Sequence, residues 1–331
     1  LLNWLLVGLL VALGGCANRG TSRHLPTRSM PPFSASGEVA SLDRWWTAFG
    51  DRALDSQVEQ ALGGNFTLAA AVQRLRAARA VQRREASDLF PDVDGLVDFG
   101  STFGPGRDRT SLVLGLDAAY QVDLWGQIRS RVEAERLRAD ATQADYHAVA
   151  LTLAAEVART WFALIEAHAQ LELLAKQVET NRTGMKALEL RFGLGFVRSA
   201  DVLRQRQLVE STREQEVIVQ AQIEVLEHQL AVLLGQMPQT ANFEPGKRLP
   251  DLPPMPQTGL PSELLSRRPD VRRDYLAFEA ADRDLASAIS AQYPRIDLTG
   301  SLLNIAERPE AVFRDWYLSI AGQLIAPLID G

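Results

Sequence analysis

The sequence predicts an α+β protein with a repeated unit, a helix leading into a β-hairpin, that occurs twice and is joined after its first copy to long antiparallel helices. Three observations predict it. The stretch "SLVLGLDAAYQVDLWGQIRSRVEAERLRAD" (residues 111–140) changes period in its middle, from strict alternation to a helical pattern. The segment "LFPDVDGLVDFGSTF" (89–103) is echoed by "QYPRIDLTGSLL" (292–303). After Gly126 the chain has no Gly or Pro until Gly184, far longer than an ordinary globular helix.

The chain begins at Leu1 without Met, and it ends at "APLIDG"; both ends read as those of a fragment. Residues 1–15, within "LLNWLLVGLLVALGGCANRG", form an apolar run of signal-peptide length that closes on small residues, an incomplete signal peptide. "LGGC", ending at Cys16, resembles a bacterial lipobox. That resemblance implies cleavage before Cys16 and its acylation, where several acyl chains anchor stably and one is marginal. A plain secretory signal followed by an incidental Cys is the alternative. Cys16 is the only cysteine, so an intrachain disulfide is excluded. Residues 16–41, rich in Pro, Ser, Thr and Arg, read as a tether, and 42–90 as N-terminal helices.

The first hairpin is expected over 91–125. Val93, Val97, Phe99 and Phe103 share one face of its first strand, against Asp94, Asp98 and Thr102. In the return strand Leu112, Leu114, Leu116, Ala118, Tyr120 and Val122 oppose Ser111, Gly115, Asp117, Gln121 and Asp123. The second hairpin, 293–331, repeats this. Ile296, Leu298 and Leu302 lie opposite Arg295, Asp297, Thr299 and Ser301, then Trp316, Leu318, Ile320 and Leu324 opposite Tyr317, Ser319 and Gln323. Strands of roughly ten residues suit a tilted membrane span. The same alternation suits a soluble hairpin with one wet face, and the period alone does not choose. A lone hairpin is marginal, so these strands are expected to pair with something outside the chain.

Residues 126–235 read as a helical hairpin. Its first helix, roughly 65 residues at about 1.5 Å each, spans about 100 Å. Ala150, Val157, Leu164, Leu171, Val178, Met185 and Phe192 recur every seventh position, reinforced by Trp161, Leu174 and Leu188, a coiled-coil seam. Two glycines in "RFGLGFVRSADVL" break it. A second helix, 199–234, carries Val219, Ile223, Leu226, Leu230 and Leu233 and stops at Gly235 and Pro238. Asp201 as a helix cap explains the turn; a partner-binding tip explains it too. A linker (236–259) and a second-repeat helix (260–292) follow.

A formal charge of −6 with 23% charged residues is not basic enough to suggest nucleic-acid binding, and no nucleic-acid partner is expected. His24, His147, His168 and His228 are scattered, without HExxH spacing or a Cys partner, so no metal site is expected. "GLG" at Gly193 lacks a third glycine and follows a helix; with no P-loop and no GxSxG, neither a cofactor nor an enzyme is expected.

Several stretches together resemble the TolC-like outer-membrane factors, in particular the outer-membrane lipoprotein branch of multidrug efflux systems. They are "RWWTAFGDRALDSQVEQALGGNFTLAAAVQRLRAARA" (44–80), "AYQVDLWGQIRS" (119–130), "LRFGLGFVRSADVL" (190–203), "LAVLLGQMP" (230–238), "LPSELLSRRPDVRRDYLAFEAADRDLASAISAQYPRIDLTGS" (260–301) and "PLIDG" (327–331). The resemblance implies an α+β membrane protein, a homotrimer whose protomers each give four strands to a twelve-stranded β-barrel, continued as a periplasmic α-barrel. It implies a passive export duct in the outer membrane, lipid-anchored, served by a periplasmic adaptor and an inner-membrane pump. Carried over by motif, Arg191, Phe192, Gly195, Ser199, Asp201, Val202 and Leu203 form the adaptor-contacting helix tip, and Trp125 sits at the membrane interface. The second pair of long helices, which holds the family's acidic gate, lies beyond Gly331. A lipid-anchored periplasmic coiled-coil adaptor or scaffold is the alternative reading.

Overall fold

A computed structural model describes residues 43–102, 109–246, 248–256 and 267–328. The expected signal peptide, Cys16, the expected tether, Phe103, the start of the expected second-repeat helix and the close of "PLIDG" lie outside the described residues. The chain forms two compact units.

One unit holds a single antiparallel sheet in the order β1-β2-β3-β4. The strands are β1 (Asp92–Thr102), β2 (Arg109–Val122), β3 (Arg295–Ala306) and β4 (Trp316–Ile325). β2 pairs with β3 over its length, so the two hairpins complete one another within the chain. The expectation that each needs a partner outside the chain is corrected; among the described strands the outer edges of β1 and β4 are left unpaired.

The repeat is visible in backbone detail. The helices α2 (Phe66–Ser87) and α5 (Pro269–Ser290) each enter a strand through the same turn. Leu89 N–H donates to Ala86 O and Phe90 N–H to Ser87 O in the first copy; Gln292 to Ile289 and Tyr293 to Ser290 in the second. Pro91 and Pro294 follow at the same place and hold the chain out of the helix.

The second unit is a helical core. A 3-10 turn (Trp45–Phe49) leads into α1 (Arg52–Gly64), capped by Asp51, whose Oδ1 accepts from Ala53 and Leu54 N–H. The long helices are α3 (Gln127–Gly193), of which residues 146–193 belong to this unit, and α4 (Ser199–Leu233). Leu54, Val58 and Ala61 of α1 pack with Val157, Trp161, Leu164 and Leu230, all buried. Trp161 Nε1 donates to Asp51 Oδ2 at 2.8 Å, so one carboxylate both caps α1 and satisfies a buried indole. Gly235 adopts φ +73°, and a Cβ there would lie 2.2 Å from Gly64 O. The closing turn of α4 therefore crosses the end of α1 with no room for a side chain.

Candidate functional site

The register brings the four apolar strand faces onto one side of the sheet. Val93 pairs with Ala118, Gly300 and Ile320; Gly95 with Leu116, Leu302 and Leu318; Val122 with Ile296 and Leu324. The opposite side carries the row Asp94, Asp117, Ser301 and Ser319, and beside it Gln121, Asp297 and Gln323. Nothing among the described residues covers the middle of the apolar side: Ile320 is 79% exposed, Val97 74% and Leu318 71%. A contiguous apolar face bounded by two open edges is unstable in water and prone to pair with other sheets.

Where β2 passes into α3, Asp123 turns the corner. Its two carboxylate oxygens accept from Ile128 and Arg129 N–H, both at 3.0 Å, which caps α3, and Gly126 takes φ +78°. Trp125, expected at a membrane interface, is half-buried and joins the two repeats. Its indole donates to Pro294 O at 2.7 Å, its ring stacks on Tyr293 at 5.0 Å, and Ser290 Oγ donates to its carbonyl. The period change at Gly126 was legible in the sequence; the bond to the other repeat was not, because its partner is 169 residues away.

Along the seam of α3, Val157, Trp161, Leu164, Leu174 and Val178 are buried and Ala150 and Leu171 half-buried; toward the other end Met185 and Leu188 are half-buried and Phe192 is open. The helix ends in a Schellman turn: Phe196 N–H donates to Arg191 O, Gly195 N–H to Phe192 O, and Gly195 takes φ +78°. Asp201 accepts from Arg198 N–H at 3.2 Å, so its capping role is present. Of the tip residues singled out in the sequence, Arg191, Phe192, Gly195, Ser199 and Leu203 are exposed, Asp201 is half-exposed, and Val202 is turned inward. Leu194 (63% exposed) and Phe196 (77%) stand among them and were missed. The signal for them was present: two large apolar residues in a turn, with no periodicity to assign them to a core.

Comparison with known proteins places this geometry. Residues 57–236 match the family described as Outer membrane efflux protein. The chain belongs to that family. It is 30% identical to the pyoverdine export outer membrane protein OpmQ of Pseudomonas aeruginosa, over 99% of this chain and 73% of the relative. To the cation efflux system protein CusC of Escherichia coli K12 it is 27% identical, over 92% of this chain and 68% of the relative. The solved structure of the outer-membrane channel OprN superposes with a TM-score of 0.78 at 29% identity, over 91% of this chain and 72% of that one. The chain is thus a TolC-like α+β channel protein of the outer membrane, acting in efflux as a passive duct and not as an enzyme. The alternative of a periplasmic adaptor falls with that result.

In this outer membrane efflux protein the helices beside the sheet are tied by charge. Arg131 pairs with Glu85 and Asp88, Arg138 with Asp284, and Arg273 with Asp145 at 3.3 Å. A hydrogen bond from Arg136 holds the Glu133 carboxyl below its ordinary value of 4.5. These pairs are partly exposed and set orientation more than stability. Among the described residues no cluster of His, Cys, Asp or Glu is placed to hold a metal ion.

Proposed function

We propose that three copies of this chain close their sheets into one twelve-stranded outer-membrane barrel, apolar face to lipid and polar face to the lumen. Closure leaves no edge, as a β-structure in hydrocarbon requires. The observation that carries the reading is the registered apolar face, exposed across four strands and ending on two open edges. Residues 91–125 and 293–331 are the membrane hairpins, 126–235 the periplasmic helical hairpin and 236–259 an equatorial linker.

The protein serves as the outer-membrane part of a tripartite assembly. The tip, with Arg191, Phe192, Gly195, Ser199, Asp201, Val202 and Leu203, receives a periplasmic adaptor, and an inner-membrane pump supplies the energy. Leu194 and Phe196 add apolar area there, and the flanking arginines favour an acidic partner surface. Trp125 lies near the periplasmic membrane interface. Cys16 carries acyl chains that anchor the tether in the outer membrane. The cargo is small solutes, multidrug efflux, in keeping with relatives named for export of pyoverdine and cations.

The test is expression from the natural gene with Cys16 intact, followed by membrane fractionation without boiling. The expected result is a heat-sensitive trimer in the outer-membrane fraction that incorporates palmitate, with labelling lost in Cys16→Ala. A monomer released by osmotic shock contradicts the trimeric barrel. An unlabelled but intact trimer contradicts only the anchor.

A further inference from the structure

The connection between β3 and β4 folds onto the apolar side of the sheet. Asn304 shares its face with Leu298 and Leu302, where an apolar residue is expected, yet it is fully buried. Its side chain holds the returning segment at two points. Nδ2 donates to Asp315 O at 2.7 Å, and Oδ1 accepts from Phe313 N–H at 3.1 Å. Phe313 itself sits at φ +68°, the left-handed region that a bulky side chain rarely adopts. A strained conformation of this kind persists where surrounding bonds impose it, and here the Asn304 amide does so.

The strained backbone positions one ring. Phe313 is 68% exposed and lies 6.4 Å from Trp316, which pairs with Asn304 across the strands and so shares the apolar side. The ring pair continues the exposed face formed by Leu318, Ile320 and Leu324. Glu307, Arg308, Glu310, Arg314 and Asp315 flank it in the sequence with charge of both signs. An aromatic pair between an apolar band and a charged rim has the composition of a membrane–water boundary.

We propose that Phe313 and Trp316 form a lipid-binding anchor at the outer-leaflet interface, held by an Asn304 latch. The inference rests on the barrel reading above, since it needs the apolar face to meet lipid. It assigns the β3–β4 connection a role in seating the barrel at a fixed depth, where an extended loop would stand free in water.

Spin labels on cysteines introduced singly at Phe313, Ser319 and Ile320 test it in the protein expressed from its natural gene and reconstituted in phosphatidylcholine vesicles. The wild-type spectrum is subtracted. Collision with oxygen reports lipid, and collision with a water-soluble nickel chelate reports water. The expected result is oxygen preference at 313 and 320 and nickel preference at 319. In an Asn304→Ala background the 313 label shifts toward nickel. Nickel preference at 313 with oxygen preference at 320 overturns the anchor and leaves the barrel standing. Nickel preference at both 319 and 320 overturns the barrel and the anchor with it. An unchanged 313 label in Asn304→Ala overturns the latch. Since a label at 313 replaces the ring, quenching of Trp316 by brominated lipid, read as the loss on Trp316→Phe, checks the same depth independently; no difference there contradicts the anchor.

Discussion

The sheet and the helical core use the same residue types in opposite ways. In the core, Trp161, Leu164 and Leu230 have at most 1% of their surface exposed, and a carboxylate is recruited to satisfy the Trp161 indole. In the sheet, Ile320 and Val97 are the most regular part of the pattern and among the most exposed. Both regions are strictly periodic, one with period seven and one with period two. The difference teaches that periodicity reports a two-sided element, while the identity of the solvent on its apolar side comes from what the rest of the chain covers. The core's stripe meets α1 and α4; the sheet's stripe meets nothing in the described chain but the fold-back at Asn304.

The strongest way to break this contrast is truncation on each side of it. Trp161→Ala removes a buried ring and leaves Asp51 Oδ2 without its partner, an expected loss of about 3–5 kcal/mol, read as a large fall in Tm by circular dichroism in detergent. Ile320→Ala is expected to change the same melt by less than about 0.5 kcal/mol. Equal losses would mean that the sheet face packs like a core.

Charge sharpens it next. Ile320→Arg should lower folding free energy into vesicles by about 2–4 kcal/mol, as for a cation on a lipid-facing strand, whereas Ser319→Arg on the opposite face should be tolerated. Urea titration of refolding into lipid measures both. Within the core, Gly235→Ala forces a left-handed residue against Gly64 O, an expected cost of about 1–3 kcal/mol that a melt of the same sample detects.

The smallest effect is acid dependence. Glu133 has its pKa lowered by Arg136, so its contribution is present above the unfolded-state value and is lost as pH falls through the folded-state value. The pair is partly exposed, so Glu133→Gln should remove only a few tenths of a kcal/mol at neutral pH and converge with wild type in acid. Melts at stepped pH read this; a gap that widens in acid reverses the sign.

Much of this fold was legible because its signals are local. The seam of α3, the stop at Gly193, the stripe of α4 and both hairpins follow from spacing, and the register places Val93, Leu116, Leu302 and Leu318 on the face their alternation assigns. What escaped was set by distant partners. Asp51 caps α1, but nothing near it in the sequence points to Trp161; Trp125 reads as an interfacial aromatic, but its bond is to Pro294. Asn304 and Phe313 fall between the alternating runs of the second hairpin and carry no local signal, since the left-handed turn is held by a side chain nine residues back on the strand. At the tip, Val202 reads as part of an exposed motif and is turned inward, while Leu194 and Phe196 have no periodicity and are open.

The central claim is that one face of the sheet meets lipid and the other a water-filled lumen. Single cysteines placed from Trp316 to Leu324 in the protein from its natural gene, treated with a membrane-impermeant maleimide in isolated outer membranes, test it most directly. The account predicts period-two labelling, with Ser319, Ala321 and Gln323 modified and Leu318, Ile320 and Leu324 protected. Uniform labelling along the strand, as in a hairpin wet on both sides, would contradict it.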